Sequence, residues 1–530
     1  MSGGVGAPAR DGHAPARRDG GGAACHVEER RAGMSDGVRL TADLCLPSED
    51  FGDGPFPAVL IRTPYDRRRH RAELRAWASL GFAAMAQDVR GRYASEGRWH
   101  PYRNEEADGA ATLRWMRAQP WCAGKVVAHG SSYGAYCALA AALGGTADGR
   151  PDAVIAAVPA LGAAETAREA DGPERLLARA GWWAAHGDRR TSDETALERA
   201  LARDPHLLDR LPVSDFPRGL RRPLPSWAGL WQQARGCGIA VRGAAAALPL
   251  LAVGGTRDPF RDDTVDLWRH WGGPARLLMG PWGHALTATP GPEARPEHRL
   301  NLGALYARWA RAALAGDLAG DRRGVAALGN SGWWASLADL PEPTVHPFGT
   351  GLRLLRGAGF QADPERPLRS DHLNVPETGD ADRCLLVTAP LARPMDLLGR
   401  AEARLTAVAD TPAADWLVRL VALDPRGTAD PLATGIVRRR DPANTAAGIT
   451  VPLGFVARRL AAGTRLRLEV GGHHFPAHAR NPHTGEDPVT ATRLLPSRRS
   501  VLLEGSALSL PVVPARHRFA RVDPAQEICR

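Results

Sequence analysis

The feature that most constrains this chain is a turn centred on Ser132. Residues 125–135 read Lys-Val-Val-Ala-His-Gly-Ser-Ser-Tyr-Gly-Ala, a short apolar strand, a sharp turn and the start of a helix. Gly130-x-Ser132-x-Gly134 is the spacing of a nucleophile elbow: the glycines remove Cβ atoms where strand and helix would collide, and the strained turn pushes the serine Oγ out of the sheet. Ser132 then sits at the N-terminus of a helix carrying Tyr136, Leu139 and Leu143. The backbone N–H of Tyr133 points at any oxyanion that forms there. Three fixed positions are a weak signal in a chain rich in glycine and alanine. The apolar strand before them and the Ala/Leu-rich helix after them select the elbow over a plain Gly/Ser loop.

The surrounding pattern supplies the sheet that an elbow needs. Residues 38–44 alternate apolar and polar, and residues 58–61 form a buried strand ending at Thr63-Pro64-Tyr65. A helix bearing Leu74, Trp77 and Leu80 stops at Gly81, and further strands cover residues 82–86, 125–130 and 153–158. Strand and helix alternate, which predicts a mostly parallel α/β sheet with function at the carboxyl ends of its strands. From about residue 160 to 247 short proline-broken helical runs replace the strands, as in an inserted helical cap. Strands return at 248–253 and 276–279, followed by a helix over 302–314. Beyond residue 352 helical periodicity disappears. Alternation at Leu466, Leu468 and Val470 and at Trp416, Val418, Leu420 and Ala422 predicts an all-β sandwich.

With 530 residues the chain is long enough for several domains, and 44% hydrophobic with 24% charged residues is a globular balance. The expected division is a disordered lead-in over 1–25, a discontinuous α/β unit over 26–159 and 248–350, a helical cap over 160–247, and a β-sandwich over 351–530. No run is long and apolar enough to span a bilayer, and the N-terminus lacks the apolar stretch of a secretory signal. A cytoplasmic protein is expected. The net charge of +10 comes almost wholly from dispersed arginines, since Lys125 is the only lysine. No aromatic-basic stripe accompanies them, so nucleic acid is not an expected partner. The clusters Arg67-Arg68-Arg69 and Arg438-Arg439-Arg440 read as solvated element ends. The seven cysteines are scattered without metal-ligand spacing and are expected to be reduced.

An elbow serine needs a base and an orienting acid, which follow in the order serine, acid, histidine. Asp258, in Gly254-Gly255-Thr256-Arg257-Asp258, and His284, in Gly280-Pro281-Trp282-Gly283-His284, each follow a later strand. Asp262, Asp263 and Asp266 are nearby rivals for the acid, and His270 for the base. Four histidines (473, 474, 478 and 483) invite a metal reading, but adjacent strand residues face opposite ways. No metal or cofactor is expected.

These residues, together with Met34-Ser35-Asp36-Gly37, Arg62-Thr63-Pro64-Tyr65-Asp66, Gln87-Asp88-Val89-Arg90-Gly91-Arg92, Ser95-Glu96-Gly97, Gln119-Pro120-Trp121-Cys122, Phe475-Pro476 and Arg480-Asn481-Pro482, resemble the cocaine-esterase / X-prolyl-dipeptidyl-aminopeptidase family of α/β-hydrolases. The resemblance implies a hydrolase core, a helical cap, a jelly-roll-like C-terminal sandwich and the triad Ser132–Asp258–His284. It also implies that the Tyr65 hydroxyl joins the Tyr133 amide in an oxyanion hole. Two positions depart from the family pattern: Thr256-Arg257 replaces an aromatic pair, and Ala135 a second glycine. Trp182, Trp183, Trp227 and Trp231 are candidates to line an apolar acyl site. The expected activity is cleavage of an ester or amide of a small acyl compound, with acyl transfer and X-prolyl or aminoacyl peptidase action as alternatives on the same triad. A non-catalytic ligand-binding role is the remaining alternative. The expected partner is that small molecule, with no nucleic acid or membrane; the assembly state is left open, a homodimer included.

Overall fold

A ten-stranded sheet organises the first two-thirds of the chain in this computed structural model. The structure describes residues 25–233, 235, 238–338, 340–376, 378–514 and 521–530. The expected disordered lead-in, except for Cys25, lies outside the described residues. In chain order the strands are β1 (Val27–Gly33), β2 (Arg39–Cys45), β3 (Phe56–Thr63), β4 (Ala83–Asp88), β5 (Cys122–Ser131), β6 (Ala153–Ala157), β7 (Leu250–Gly255) and β8 (Ala275–Gly280), then Arg322–Leu328 and Trp333–Ser336. Their spatial order is β1-β2-β4-β3-β5-β6-β7-β8, continued by the last two. From β4 and β3 across to Arg322–Leu328 every pairing is parallel, while β1, β2 and Trp333–Ser336 are antiparallel edges.

Helices α1 (Arg71–Ala78), α2 (Glu105–Arg117) and α3 (Tyr133–Leu143) connect the first strands, and Leu302–Ala315 packs on the same core as α1. Apolar runs such as Val126–Ala128 and Leu250–Val253 are fully buried because helices cover both faces of the parallel sheet. The chain moves one way from β3 to β4 and the other way to β5. The carboxyl ends of β3 and β5 therefore flank a topological switch point, where α/β sheets open a crevice.

Between β6 and β7 the chain forms the cap: α4 (Ala163–Ala167), α5 (Leu176–His186), and further helices at Ala196–Arg203, Phe216–Leu220 and Trp227–Gln232. Two antiparallel sheets follow. One joins Thr344–Pro347, Ser497–Leu510, Met395–Ala409 and Ala447–Leu460; the other joins Arg353–Arg356, Arg383–Val387, Arg465–Gly471, Ala414–Leu423 and Ala429–Arg439. Trp416, Val418, Leu420, Leu468 and Val470 face the core between them. The tail then returns to the first unit, where Ile528 of Pro524–Ile528 is buried in its core.

Three local expectations need correction. Cys25 and Cys45 form a disulfide, because the antiparallel register that sets Val27 opposite Cys45 brings the two together. Arg67 is buried, not solvated, and its guanidinium meets Asp43 at 2.8 Å and Asp88 at 2.9 Å. Arg438 is likewise enclosed, joining Asp415 at 2.7 Å to Glu174 of the cap at 3.0 Å. A basic run in sequence hides which of its members has a carboxylate waiting elsewhere in the fold. Among the described residues no helix is long and apolar enough to cross a membrane.

Candidate active site

Ser132 holds a left-handed backbone at φ 56°, ψ −118°, between the last residue of β5 and the first of α3. The neighbouring glycines explain how this turn can exist. A Cβ on Gly130 would fall 2.2 Å from the Gly134 carbonyl carbon, and one on Gly134 would approach the Arg62 carbonyl oxygen at 3.3 Å. The strain is held by backbone bonds to the end of β6: Ser132 N–H donates to Ala157 O at 2.9 Å, and Ala160 N–H to Ser132 O at 3.2 Å.

The next residue anchors the turn from below. Tyr133 is fully buried; its hydroxyl donates to Glu105 Oε1 at 2.6 Å and accepts from the Tyr102 amide at 2.6 Å. Burial raises both the Glu105 carboxyl and the Tyr133 phenol above their ordinary pKa values. The Tyr133 side chain is therefore a peg, and only its backbone N–H, one of the amides an α-helix leaves unpaired at its start, faces the crevice end of α3.

The acid and the base come from adjacent strands. Asp258 follows β7, His284 follows β8, and His284 Nδ1 meets Asp258 Oδ2 at 2.5 Å. Asp258 is shielded from solvent, whereas the imidazole is about half open. The second carboxylate oxygen of Asp258 accepts the Phe260 amide at 2.7 Å, and the Phe260 ring packs edge-on to His284 at 5.5 Å. The two loops lock together, with Thr256 N–H donating to Gly280 O at 2.9 Å and Arg257 N–H to Trp282 O at 3.0 Å. Arg257, where the family favours an aromatic, reaches into the sandwich region instead. It pairs with Glu293 and Asp430, each at 2.8 Å, and Arg458 meets the same two carboxylates.

The rival residues are occupied elsewhere. Asp262 accepts the Phe455 amide of the sandwich at 2.7 Å, Asp266 pairs with Arg400, and Asp263 lies 3.8 Å from Arg175 of the cap. His270 is bonded to its own helix at Asp266 O. The four C-terminal histidines split into pairs: His473 faces His483, while His474 faces His478, which bonds Glu169.

Tyr65 follows β3, the strand paired with the β5 that ends just before Ser132, and its amide donates to Thr63 Oγ1 at 3.1 Å. Its hydroxyl also accepts from Trp182 Nε1 of α5 at 3.1 Å, and burial raises the phenol pKa so that it keeps its proton. Arg92 Nε fixes the turn by donating to Pro64 O at 2.8 Å. Of the four cap tryptophans, Trp182 alone is seen bonding to this constellation. Trp183, Trp227 and Trp231 are cap core, a use that tryptophan's bulk favours whenever a helix layer needs filling.

The structure thus pairs Asp258 with His284 and Tyr65 with Trp182 of the cap. Among the described residues no hydrogen bond joins Ser132 to His284, a link that often tightens only with substrate bound. Sequence reasoning missed Glu105, Tyr102 and Arg92. Arg92 stood in a quoted segment, but nothing local revealed that it would hold the Tyr65 turn. A cleft of about 700 Å³ bordered by His206, Glu365, Arg369 and Arg480 shares no residue with this site.

Comparison with known proteins agrees with this architecture. Residues 36–286 match the model of the X-Pro dipeptidyl-peptidase (S15) family, and residues 283–513 that of the X-Pro dipeptidyl-peptidase C-terminal non-catalytic domain. A cocaine esterase of Rhodococcus sp. (strain MB1 Bresler) is 27% identical over 552 residues, covering 85% of this chain and 91% of that protein. Two solved structures share the fold. An α-amino acid ester hydrolase superposes with a TM-score of 0.74 at 17% identity over 97% of this chain and 100% of its own. An aminopeptidase from a marine sediment Thaumarchaeota archaeon gives 0.73 at 18% over 95% and 99%. Fold and family matches together define a serine hydrolase of the α/β-hydrolase class. Within that class, the chain belongs to the cocaine-esterase / X-Pro dipeptidyl-peptidase family.

Proposed function

We propose that the protein cleaves an ester or amide bond of a small acyl compound through an acyl-enzyme on Ser132. Ser132 Oγ attacks the carbonyl carbon while His284 Nε2 takes its proton. Asp258 holds the Nδ1–H tautomer and stabilises the imidazolium. The tetrahedral oxyanion accepts from the Tyr65 hydroxyl and the Tyr133 amide, donors already set before charge develops. His284 then protonates the departing alcohol or amine. Water, deprotonated by the same imidazole, attacks the acyl carbon, releases the carboxylic acid and returns the proton to Ser132.

The observation that carries this reading is the 2.5 Å Asp258–His284 bond, on the same sheet edge as the strained serine. The names of the relatives, a cocaine esterase and an α-amino acid ester hydrolase, favour esters as the first substrates to try. The test is steady-state assay of p-nitrophenyl esters of graded chain length against aminoacyl and X-Pro anilides, with wild type and His284→Ala side by side. Ester turnover that disappears in His284→Ala supports the assignment. Turnover that survives undiminished removes His284 as the base, and a preference for X-Pro anilides makes the protein a peptidase on the same triad.

A further inference from the structure

Helix α5 lays a stripe of side chains over the elbow: Arg175, Arg179, Trp182 and His186, spaced as one helix face. Three of the four have evident partners. Arg175 is bonded to Glu169 at 2.7 Å, Trp182 to the Tyr65 hydroxyl at 3.1 Å, and His186 packs its ring on Tyr65 at 4.9 Å. Arg179 differs. It is only 5% exposed, yet among the described residues no carboxylate lies within ion-pair distance of it. Its Nε has no hydrogen-bond partner among the described protein atoms, and the Tyr102 phenol is near enough to act on it electrostatically. Arg179 lies one helical turn before Trp182, whose Nε1 donates to the Tyr65 hydroxyl at 3.1 Å, and it is close enough to Tyr65 to act on it electrostatically.

A guanidinium taken out of water without a counter-charge is costly, and an ordinary core would replace it with an apolar residue of similar volume. We infer that Arg179 is the anchor for a carboxylate carried by the substrate, so that this enzyme selects monoanionic esters or amides over their neutral counterparts. The inference rests on Ser132 being the nucleophile, because sharing a helix face with Trp182, the cap residue bonded to Tyr65, makes Arg179 part of a substrate site only if the reaction takes place there. The planar guanidinium fork fits a carboxylate, and its Nε offers a donor with no partner among the described protein atoms. One cation neutralises one negative charge, so a dianionic phosphate would leave excess charge among Tyr102, Tyr133 and Trp182. Burial lowers the Arg179 pKa from its ordinary value, the direction expected for a cation with no partner anion.

The test compares acids with their methyl esters, pairs that differ by one charge and one methyl group. On the acyl side these are mono-p-nitrophenyl glutarate and its methyl ester; on the alcohol side, 4-butyryloxybenzoate and its methyl ester. Wild type should favour the anion of one pair by about 10–100-fold in kcat/KM, carried mainly by KM, as for a hydrogen-bonded charge. Arg179→Met should erase that ratio, and Arg179→Lys should restore part of it. The melting temperature of Arg179→Met should not fall, since an unpaired buried charge is removed. A wild type that ignores the charge on both sides overturns the inference. So does an Arg179→Met protein that loses both members of a pair equally, or whose cap melts, because Arg179 is then a structural prop. Calorimetry on Ser132→Ala with monomethyl and dimethyl glutarate separates this from the proposed chemistry. Tighter binding of the monoanion that vanishes in Ser132→Ala/Arg179→Met upholds the anion site even if no ester is turned over. Equal binding of the two refutes it even if esters are hydrolysed.

Discussion

The two halves of the site are built by different means. On the β3/β5 side, Tyr65 and Ser132 are placed by backbone: a left-handed serine, two glycines with no room for a Cβ, and a turn clamped by Arg92. On the β7/β8 side, Asp258 and His284 are placed by charge and by distant chain. Their loops are tied through Arg257 and Asp262 to strands of the C-terminal sandwich. The Ser132 half leans on its own unit and on the cap, through Trp182 and Arg92, whereas the Asp258–His284 half is tied to the sandwich. Under the proposed mechanism the sandwich would position the acid and base without supplying a reacting side chain of its own.

The comparison can be broken or sharpened in four ways, beginning with the largest effect. Ser132→Ala and His284→Ala should each lower kcat/KM by about 10⁴–10⁶, and the double variant should be no worse than the poorer single one, since the halves act as one device. Additive losses would separate the halves. Next, Arg458→Met takes away one of the two guanidinium partners of the buried Glu293 carboxylate, Arg257 remaining, and should cost about 1.5–3 kcal/mol in urea unfolding. If the sandwich supports the acid–base half, activity should fall at lower urea than the loss of the elbow's helix signal. Tyr65→Phe removes one oxyanion donor and should lower kcat by about 10²–10³, or roughly 2.7–4 kcal/mol, with KM little changed.

The fourth prediction concerns acid. Burial holds His186 and His473 down at a pKa of about 3 and His483 at about 4, against an ordinary 6.5. Below 6.5 the unfolded chain takes protons that the folded one refuses, so stability falls as pH drops towards 4. The loss should reach about 1.4 kcal/mol per pH unit for each histidine, and His473→Gln should flatten the slope of a melting-temperature series from pH 7 to 4.

The elbow was legible in sequence because its strain is local: the residues that permit a left-handed serine must lie within two positions of it. Asp258 and His284 were legible by position, each following an apolar strand that could only be sheet. Strands β1, Arg322–Leu328 and Trp333–Ser336 were not read, since edge strands and alanine-rich segments carry little alternation. Arg67 and Arg438 were misread for the opposite reason. Their partners Asp43 and Glu174 are remote in sequence, and composition cannot say which arginine of a run turns inward. Phe475-Pro476 and Arg480-Asn481 carried the family resemblance without an evident purpose. The fold supplies one: Phe475 packs into the cap core, and Asn481 bonds the Asp415 that pairs with Arg438, whose other partner is Glu174 of the cap. The unpaired Arg179 had no signal at all, because a missing partner is visible only once every neighbour is in place.

The most direct test of the central claim is covalent. The protein is treated with a fluorophosphonate and the modified peptide is mapped in wild type and in His284→Ala. The account predicts one adduct per chain, on Ser132 Oγ, with labelling nearly abolished when His284 is removed. An adduct on Ser131 or any other serine, or labelling of Ser132 that proceeds undiminished without His284, would contradict it.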